Sequence, residues 1–195
     1  LAIAGLILFT GFSLPGTTAA LILWGVSMVS PSYWRTNNIE EGELVITQFD
    51  VGQGSAVLIS SAQHHWLYDT GPAFSSGFDA GKAVILPYLR KQGIVALDTV
   101  IISHGDNDHS GGARSIANAF KVKKWLYSGS FDPLTIESTH SKLQHCQAGH
   151  SDTVDAFHYV LLNPDNVTPD IDSSENDSSC VLQIRLKATE ADSAS

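Results

Sequence analysis

Residues 1–34 are apolar almost without interruption, whereas the rest of the chain alternates short apolar runs with polar turns. No Asp, Glu, Lys, Arg or His occurs in this segment, and its length exceeds the roughly 20 apolar residues that cross a lipid bilayer as a helix. Pro15-Gly16 divides the segment, because proline interrupts a helix. The pattern predicts the end of one transmembrane helix, a break and a second helix; the alternative is a buried helix of a soluble fold.

A polar linker over residues 35–43 leads into three short runs of strand-forming residues, which are 44–49, 56–59 and 65–68. The first two flank Asp50-Val-Gly-Gln-Gly54, a sequence typical of a turn, and together they predict a β-hairpin. The third ends at Asp69-Thr-Gly-Pro72, where Gly and Pro close the strand sharply. Short strands in succession predict an antiparallel or mixed sheet.

Helical segments then alternate with strands along the chain. The predicted helices are 82–92, 113–120 and 133–143, and the predicted strands are 97–102, 123–127, 157–162 and 180–186. An order of strands first and alternation afterwards favours an α/β sandwich with the sheets inside and the helices on the outer faces. We expect one such domain over residues 44–187, followed by a small polar tail over residues 188–195.

The chain is acidic, and its charges follow the apolar segment. The sequence has 11 basic and 20 acidic residues, which gives a formal net charge of −9. This balance argues against tight nonspecific wrapping of nucleic acid, since that affinity comes from neutralising phosphates with Lys and Arg. It is compatible with a phosphodiester substrate that is held through bound cations.

Two features of the sequence bear on the compartment. Only Arg35 closely follows the apolar segment and the next charged residues are glutamates, so the positive-inside rule favours an extracytoplasmic position for the polar part. Cys146 and Cys180 could form a disulfide in an oxidising compartment, although two thiols do not decide the question.

The strongest chemical signal lies directly after the predicted strand 97–102, in the sequence His104-Gly-Asp-Asn-Asp-His109. Two imidazoles and two carboxylates within six positions form a donor set that suits Zn, Mn or Fe. A loop that leaves a buried strand can bring such side chains onto two cations, and a pair of cations can clamp the attacking and leaving oxygens of a displaced phosphate. The alternative is a solvated polar turn.

The same loop resembles the His-x-His-x-Asp-His signature of the metallo-β-lactamase superfamily, with Asp106 in the place of the second His. Within that superfamily, four segments in order are similar to the C-terminal domain of the ComEC family of competence DNA-uptake channels. These segments are Phe49-Asp-Val-Gly-Gln-Gly-Ser55, Tyr68-Asp-Thr-Gly-Pro72, Ile102-Ser-His-Gly-Asp-Asn-Asp-His109 and Glu175-Asn-Asp-Ser-Ser-Cys-Val-Leu182. The resemblance covers about residues 44–186, and the preceding apolar segment agrees with it.

The resemblance implies a metallo-β-lactamase-like αββα sandwich of four layers. It places this domain on the extracytoplasmic side of the inner (cytoplasmic) membrane of a bacterium. The implied activity cuts DNA so that one strand can enter the channel. The implied partners are single- or double-stranded DNA, the membrane and other components of the competence channel.

Family positions carry over to individual residues of the loop. The resemblance places His104 and Asp106 at a first metal position and Asp108 and His109 at a second, for one or two divalent ions, Zn or Mn. Asp108 would also orient the nucleophilic water, which makes it the candidate catalytic residue.

Four further residues are candidates for the shell around these ligands, namely Asp69, Asp50, Asn176 and Ser178. Asp69 matches the superfamily's first Asp motif and would hold the ligand loop by hydrogen bonds. Asp50 begins a Gly-rich turn that lets the backbone approach the site closely. Asn176 and Ser178 stand where other members place a metal-binding His. Turn or loop roles explain each of these residues equally well.

The end of the sequence departs from the family pattern. A bridging Asp and a late His of the superfamily are expected after Leu186, where this chain reads Lys-Ala-Thr-Glu-Ala-Asp-Ser-Ala-Ser195. The resemblance therefore implies an incomplete domain with weakened metal binding, inactive by itself. Two other functions stay open: a noncatalytic membrane-tethered domain that binds DNA or channel subunits, and a hydrolase of small esters or lactams.

A basic cluster with an aromatic neighbour is formed by Lys121, Lys123, Lys124 and Trp125. It is a candidate contact for single-stranded nucleic acid, since Lys binds the backbone and an aromatic ring stacks on a base. The alternative is a strand edge that lysines protect from pairing with other chains.

Overall fold

The computed structural model describes residues 39–136, 141–155, 157–165 and 175–186. The predicted transmembrane segment over residues 1–34 and the polar tail over residues 188–195 lie outside these ranges. Within the described ranges, no helix combines the length and the hydropathy that a membrane crossing requires.

Six strands form a mixed sheet in which the spatial order follows the chain order. The strands are β1 (Val45–Gln48), β2 (Val57–Ser60), β3 (His65–Tyr68), β4 (Ala96–Ile102), β5 (Lys121–Tyr127) and β6 (Lys142–His145). Antiparallel pairing of β1 with β2 confirms the predicted hairpin, and β3 pairs antiparallel with β2. From β3 to β6 the strands run parallel, so their carboxyl ends meet at one edge of the sheet.

A second sheet is antiparallel and has three strands, β7 (Ser151–Val154), β8 (Phe157–Asn163) and β9 (Val181–Leu186). Helix α1 (Leu86–Lys91) continues a π-helical turn at Gly81–Ile85, and it is followed by α2 (Asn107–Ser110) and α3 (Ala113–Ala119). Pro87 stands in the first turn of α1, a position where proline is common because its fixed φ suits a helix. Single 3₁₀ turns occur at Pro133–Ile136 and Glu175–Ser178.

Two apolar cores separate three layers in the described part of the chain. Successive residues of a strand point to opposite faces of the sheet. Leu67 and Val100 therefore pack in a core with Leu89 of α1 and Ile116 of α3. Trp66, whose side chain points to the opposite face of the first sheet, packs in a core with the second sheet. The layers run helix, sheet, sheet, which are three of the four layers of the predicted αββα sandwich, and the α/β fold class is confirmed.

The core between the sheets is closed by aromatic contacts and by a disulfide. Trp66 meets Phe157 and Tyr159 edge-on, with ring centroids 5.6 and 4.6 Å apart. Cys146, which follows β6, is bonded to Cys180, which precedes β9. A covalent bond therefore joins the two sheets, in the oxidation state that an oxidising compartment favours.

The predicted helix over residues 133–143 is wrong. The chain forms a 3₁₀ turn at Pro133–Ile136, and Leu143 lies in β6, which pairs parallel with β5. The sequence pattern does not predict β6 or β7, because exposed residues dominate both strands and leave no apolar alternation to detect. Pairing with β5 and with β8 decides their conformation instead.

The interpretation of the basic cluster at Lys121 to Trp125 as a stacking surface is also wrong. Trp125 is fully buried and cannot receive a base, and Lys123 forms an ion pair with Asp98 at 2.6 Å. From Lys124 onward β5 is an inner strand, paired with β4 on one side and with β6 on the other. Lys121 pairs with Ala96 at the amino ends of the parallel strands, opposite to the end that leads into His104.

Asp155 joins the two sheets at the amino ends of the parallel strands. It lies in the turn between β7 and β8 with a φ of 47°, and its side chain is 15% exposed. Its carboxylate accepts hydrogen bonds from Ser61 Oγ, from Gln63 N at 3.3 Å and from His64 Nδ1 at 2.9 Å, all in the β2–β3 turn. Burial opposes its ionisation, but these hydrogen bonds outweigh burial and hold the pKa of Asp155 below its usual value.

Replacing Asp155 by Asn is expected to lower the free energy of unfolding by about 2 kcal/mol near neutral pH, because hydrogen bonds to a charged acceptor are lost. A carboxyl group with a lowered folded-state pKa stabilises the protein above its unfolded pKa of about 3.9, and this stabilisation disappears as the pH falls through the folded pKa. The difference between wild type and Asp155→Asn should therefore shrink below about pH 4 in urea unfolding. Asp165→Asn, which removes an exposed carboxylate, is the control and should change stability by less than about 0.5 kcal/mol. A difference that persists in acid would contradict this role of the charge.

Candidate metal centre

The candidate ligands lie where two parallel strands end side by side. β3 runs into Asp69, and its parallel neighbour β4 runs into Ser103 and His104. Asp69 has a φ of 58°, and its N–H donates to Ile101 O at 2.8 Å. After β4 the loop continues into α2, which carries Asp108 and His109. The fold therefore brings the predicted ligands and Asp69 to the same edge of the sheet.

The buried carboxylate of Asp69 organises this loop. Its side chain is 1% exposed. Oδ1 accepts a hydrogen bond from Ser103 N at 2.7 Å, and Oδ2 accepts from Ser103 Oγ at 2.9 Å and from His109 Nδ1 at 2.7 Å. A buried charge is tolerated only when it is paired and hydrogen-bonded, and here both oxygens are satisfied. Asp69 thus connects the two ends of the ligand loop, which we define as residues 103–109.

These hydrogen bonds determine which ring nitrogens remain available to a cation. An ionised carboxylate only accepts hydrogen bonds, so the hydrogen between His109 and Asp69 belongs to Nδ1. The Ser103 hydroxyl donates its hydrogen to Asp69 and therefore accepts from His104 Nδ1 at 3.0 Å. Both imidazoles direct Nδ1–H toward the protein and leave Nε2 available, as metal-binding histidines do.

Each Nε2 atom faces a carboxylate. His104 Nε2 lies 3.3 Å from Asp106 Oδ2, and His109 Nε2 lies 3.7 Å from Asp108 Oδ2. The two imidazole rings have centroids 4.1 Å apart. In the neutral tautomer the nitrogen and oxygen lone pairs of each pair repel one another, and a divalent cation that binds both removes that repulsion. The donor set therefore fits one or two divalent cations.

Within the described ranges the ligands form pairs rather than a larger cage. No group of three or more His, Cys, Asp or Glu side chains is arranged there to hold one ion. The side chain of His104 is 7% exposed and that of Asp106 is 51% exposed, so the first pair opens to solvent on its carboxylate side. Complete coordination of a divalent ion requires further oxygen or nitrogen ligands.

Charge and burial also shift the pKa values of two side chains at the loop. The hydrogen bond with Asp69 raises the pKa of His109; burial acts in the opposite direction, and the charges of the carboxylates around it add to the rise. Burial, followed by the charge of Asp69, raises the pKa of Tyr68. Tyr68 stays neutral at physiological pH, and its hydroxyl donates to Cys180 O at 2.6 Å, which holds the segment before β9 against β3.

Neighbouring backbone holds α2 in place. Thr70 N and Oγ1 both donate to His109 O, at 2.7 and 3.0 Å, and Ser55 N donates to Asp108 O at 3.2 Å. Gly54, with a φ of 122°, approaches so closely that a Cβ there would lie 2.0 Å from Asp108 O. Only glycine permits this contact, which agrees with the close approach predicted from the Gly-rich turn.

The other predicted residues occupy different surroundings. Asp50 is exposed, and its carboxylate accepts a hydrogen bond from Gly52 N at 3.3 Å within its own turn. Asn176 and Ser178 lie in the 3₁₀ turn that precedes Cys180. Cys180 N donates to the carbonyl oxygen of the first residue of the ligand loop at 2.8 Å, so this segment lies beside the loop.

Sequence reasoning assigned no role to several residues that hold the ligand loop. Ser103 and Thr70 both stand inside the recognised motifs, directly before His104 and directly after Asp69. A third, Ser130, accepts a hydrogen bond from Gly105 N through its hydroxyl at 2.8 Å. Serine and threonine hydroxyls have no spacing signal of their own, because they act through partners that the fold supplies.

The sequence matches the family model described as Metallo-beta-lactamase superfamily over residues 49–177. Recombination protein 2 of Haemophilus influenzae is 35% identical over 139 residues, and Competence protein ComA of Neisseria gonorrhoeae is 32% identical over 153 residues. These matches cover 71% and 77% of this chain but 16% and 19% of the relatives, so the chain spans less than a fifth of their length. ComE operon protein 3 of Bacillus subtilis is 26% identical over 162 residues, which cover 73% of this chain and 20% of that protein. The matches confirm the resemblance to competence proteins that the motifs indicate.

Solved structures show the same fold. A metallo-β-lactamase of Cronobacter sakazakii superposes with a TM-score of 0.53 at 15% identity, over 72% of this chain and 52% of that chain. A mutant of a Cronobacter sakazakii metallo-β-lactamase gives a TM-score of 0.51 at 14% identity, over 72% of this chain and 56% of that chain. At such low identity the likeness establishes the fold alone.

Gly54→Ala is expected to displace the ligand loop, since the added Cβ would overlap Asp108 O. Gly52 has a φ of 77°, and a Cβ added there would meet nothing within 4 Å, so this residue is the matched control. Gly52→Ala introduces left-handed strain of about 1–2 kcal/mol without an overlap. Gly54→Ala should be less stable than Gly52→Ala by at least about 2 kcal/mol in urea unfolding. Equal stabilities would show that the contact does not constrain the loop.

Asp69→Asn is expected to weaken Zn²⁺ binding roughly 10- to 100-fold, because His109 loses the acceptor that orients it. Competition with a chelating dye measures the affinity. Asp98→Asn is the control, since Asp98 also accepts a backbone hydrogen bond, from His65 N at 2.9 Å, but at the amino end of the sheet. It should reduce stability and leave the affinity as in wild type. A Zn²⁺ affinity of Asp69→Asn equal to that of wild type would contradict the role of Asp69 as the residue that positions the ligands.

Proposed function

Because this chain belongs to the metallo-β-lactamase superfamily, we propose that its ligand loop binds divalent cations, Zn or Mn, and hydrolyses phosphodiester bonds of DNA during DNA uptake. The observation that carries the proposal is the set of hydrogen bonds around Asp69, which leaves Nε2 of His104 and of His109 facing Asp106 and Asp108. Members of this superfamily usually bind divalent metal ions, typically Zn.

The names of the relatives support DNA as the substrate. The names Recombination protein 2 and Competence protein ComA indicate proteins that handle DNA. The net charge of −9 is compatible with a polyanionic substrate that is held at the site through bound cations. The protein would belong to a DNA-uptake channel of the bacterial inner membrane, with the metal centre on the extracytoplasmic side and other competence components as partners. The disulfide Cys146–Cys180 supports the oxidising side of that membrane.

The residues of the loop have distinct roles in this reaction. When bound, divalent cations stabilise the negative charge that develops on the phosphate and lower the pKa of a nucleophilic water. Asp108, with a side chain 32% exposed, is accessible to that water and orients it by accepting a hydrogen bond. Asp69 is a positioning residue, because it acts on substrate only through His109 and Ser103.

A noncatalytic domain that binds DNA or channel subunits is the second candidate function. It is favoured by the lack, within the described ranges, of three or more ligating side chains around one ion position. Such a domain would hold a single cation loosely. Measured metal content separates the two functions, since two tightly held ions favour catalysis.

Asp108→Asn is expected to reduce DNA cleavage by at least about 100-fold, because an amide oxygen accepts a hydrogen bond but is too weak a base to take the proton of the water. The assay follows a fluorescent oligonucleotide with added Mn²⁺ or Zn²⁺, for the 195-residue chain and for the protein at the length of its relatives. Asp152→Asn removes an exposed carboxylate of β7 and should cleave as wild type does. Metal content of each variant is measured in parallel. Equal cleavage by Asp108→Asn and wild type would refute the catalytic role.

A further inference from the structure

A short hairpin over residues 73–79, closed by the bridge between Ala73 and Asp79, presents two phenylalanine rings to solvent. Phe74 is 50% exposed and Phe78 is 38% exposed, and their rings stack with centroids 6.1 Å apart and an interplanar angle of 27°. Exposed aromatic surface gives up the free energy that burial would provide. Neither ring belongs to the two apolar cores of the described residues. The hairpin thus carries an aromatic surface that the described fold does not bury.

The backbone under these rings is anchored. Phe74 N donates to Phe78 O at 2.7 Å, and Gly77 N donates to Phe74 O at 3.0 Å. Gly77 has a φ of 100°, which suits glycine and closes the turn. At the base of the hairpin, the carboxylate of Asp79 accepts a hydrogen bond from Ser115 Oγ at 2.6 Å, which ties it to α3. The rings are therefore held on a fixed scaffold.

The base of the hairpin also contacts the ligand loop and its helix. Ala73 N donates to Asn107 Oδ1 at 3.4 Å, and Asn107 directly precedes Asp108 in α2. Gly111, just after α2, approaches Ala73 so closely that a Cβ there would lie 2.3 Å from Ala73 N. The hairpin that carries the two rings is therefore held at its base against the ligand loop and α2.

Two residues with exposed cationic side chains, Lys82 and Arg114, lie in the segments that hold the same base. Lys82 N donates to one oxygen of Asp79 at 2.9 Å, and Arg114 directly precedes Ser115, whose hydroxyl donates to the other oxygen. Aromatic faces next to Lys and Arg suit a ligand that has planar apolar groups along a chain of negative charges. Unpaired nucleic acid has this chemistry, and a duplex does not, since its bases are already stacked.

We propose that Phe74 and Phe78 stack on unpaired bases of single-stranded DNA, while Lys82 and Arg114 contact its phosphates, so that the adjacent phosphodiester lies at the metal centre. The positioning of the scissile bond rests on the proposed function, whereas the stacking itself involves no metal ligand. An anionic membrane surface is the other partner that exposed aromatic and basic residues can contact. Measuring the binding of DNA and the binding of anionic vesicles for the same variants shows which of these two partners the rings contact.

The first measurement uses the full chain and a single-stranded oligodeoxynucleotide that contains 2-aminopurine, whose fluorescence falls when the base stacks. The wild type should quench this fluorescence. The double variant Phe74→Ala/Phe78→Ala should bind at least about fivefold more weakly and lose the quenching, as expected from base–aromatic stacking. Phe74→Tyr/Phe78→Tyr keeps the ring faces and should retain both properties. Val95→Ala removes an 84% exposed apolar side chain at the amino end of β4 and should behave as wild type.

The second measurement compares the cleavage of a normal single strand with that of an abasic strand of the same length. The wild type should prefer the strand with bases at least about fivefold, and this preference should vanish in the double Ala variant. If neither strand is cleaved by any protein, the proposed function fails, and the 2-aminopurine measurement still decides the inference. Unchanged quenching in the double Ala variant would overturn it. If the double Ala variant no longer sediments with phosphatidylserine vesicles but still binds DNA as wild type does, the result would overturn the inference in favour of a membrane surface.

Discussion

The carboxylate of Asp69 is the interaction on which the ligand loop depends. It is nearly inaccessible to solvent, and its charge is balanced by donors from Ser103 and His109. Removing one partner of a buried charged group costs several kcal/mol, about 3–5 in measured cases. The requirement is mutual, because the same donors are fixed in orientation by the carboxylate. A polar loop thereby acquires one arrangement, in which His104 and His109 keep Nε2 available.

The position of Asp69 depends in turn on the parallel pairing of β3 with β4. The register pairs Tyr68 with Ile101, which sets the Asp69 N–H against the Ile101 carbonyl. Apolar cores on both faces of the sheet hold that register, one against the helices and one against the second sheet. The second sheet is fastened at both ends, by Asp155 at the amino end and by the disulfide of Cys180 beside the ligand loop.

Loops from separate parts of the chain converge on α2 and give the site its edges. The Gly54 turn contacts Asp108. Thr70, in the segment after β3, donates a hydrogen bond to His109 O, and the base of the Phe74 hairpin donates one to Asn107. The sheet supplies the rigid platform, and the loops at the carboxyl ends of its strands carry the candidate ligands. The proposed catalytic carboxylate and the proposed stacking rings are therefore supported by the same short helix.

Local sequence determined what contiguous residues can determine by themselves. Apolar runs and turn residues predicted β1 to β5, β8 and β9, and the clustering of His and Asp at positions 104–109 predicted a ligand loop. The resemblance added Asp69 as its support. Only the tertiary structure decided the rest. β6 and β7 are strands because neighbouring strands pair with them, and Trp125 is buried because β5 is an inner strand. The availability of His109 Nε2 follows from a hydrogen bond between residues 40 positions apart, a partnership that no local pattern encodes.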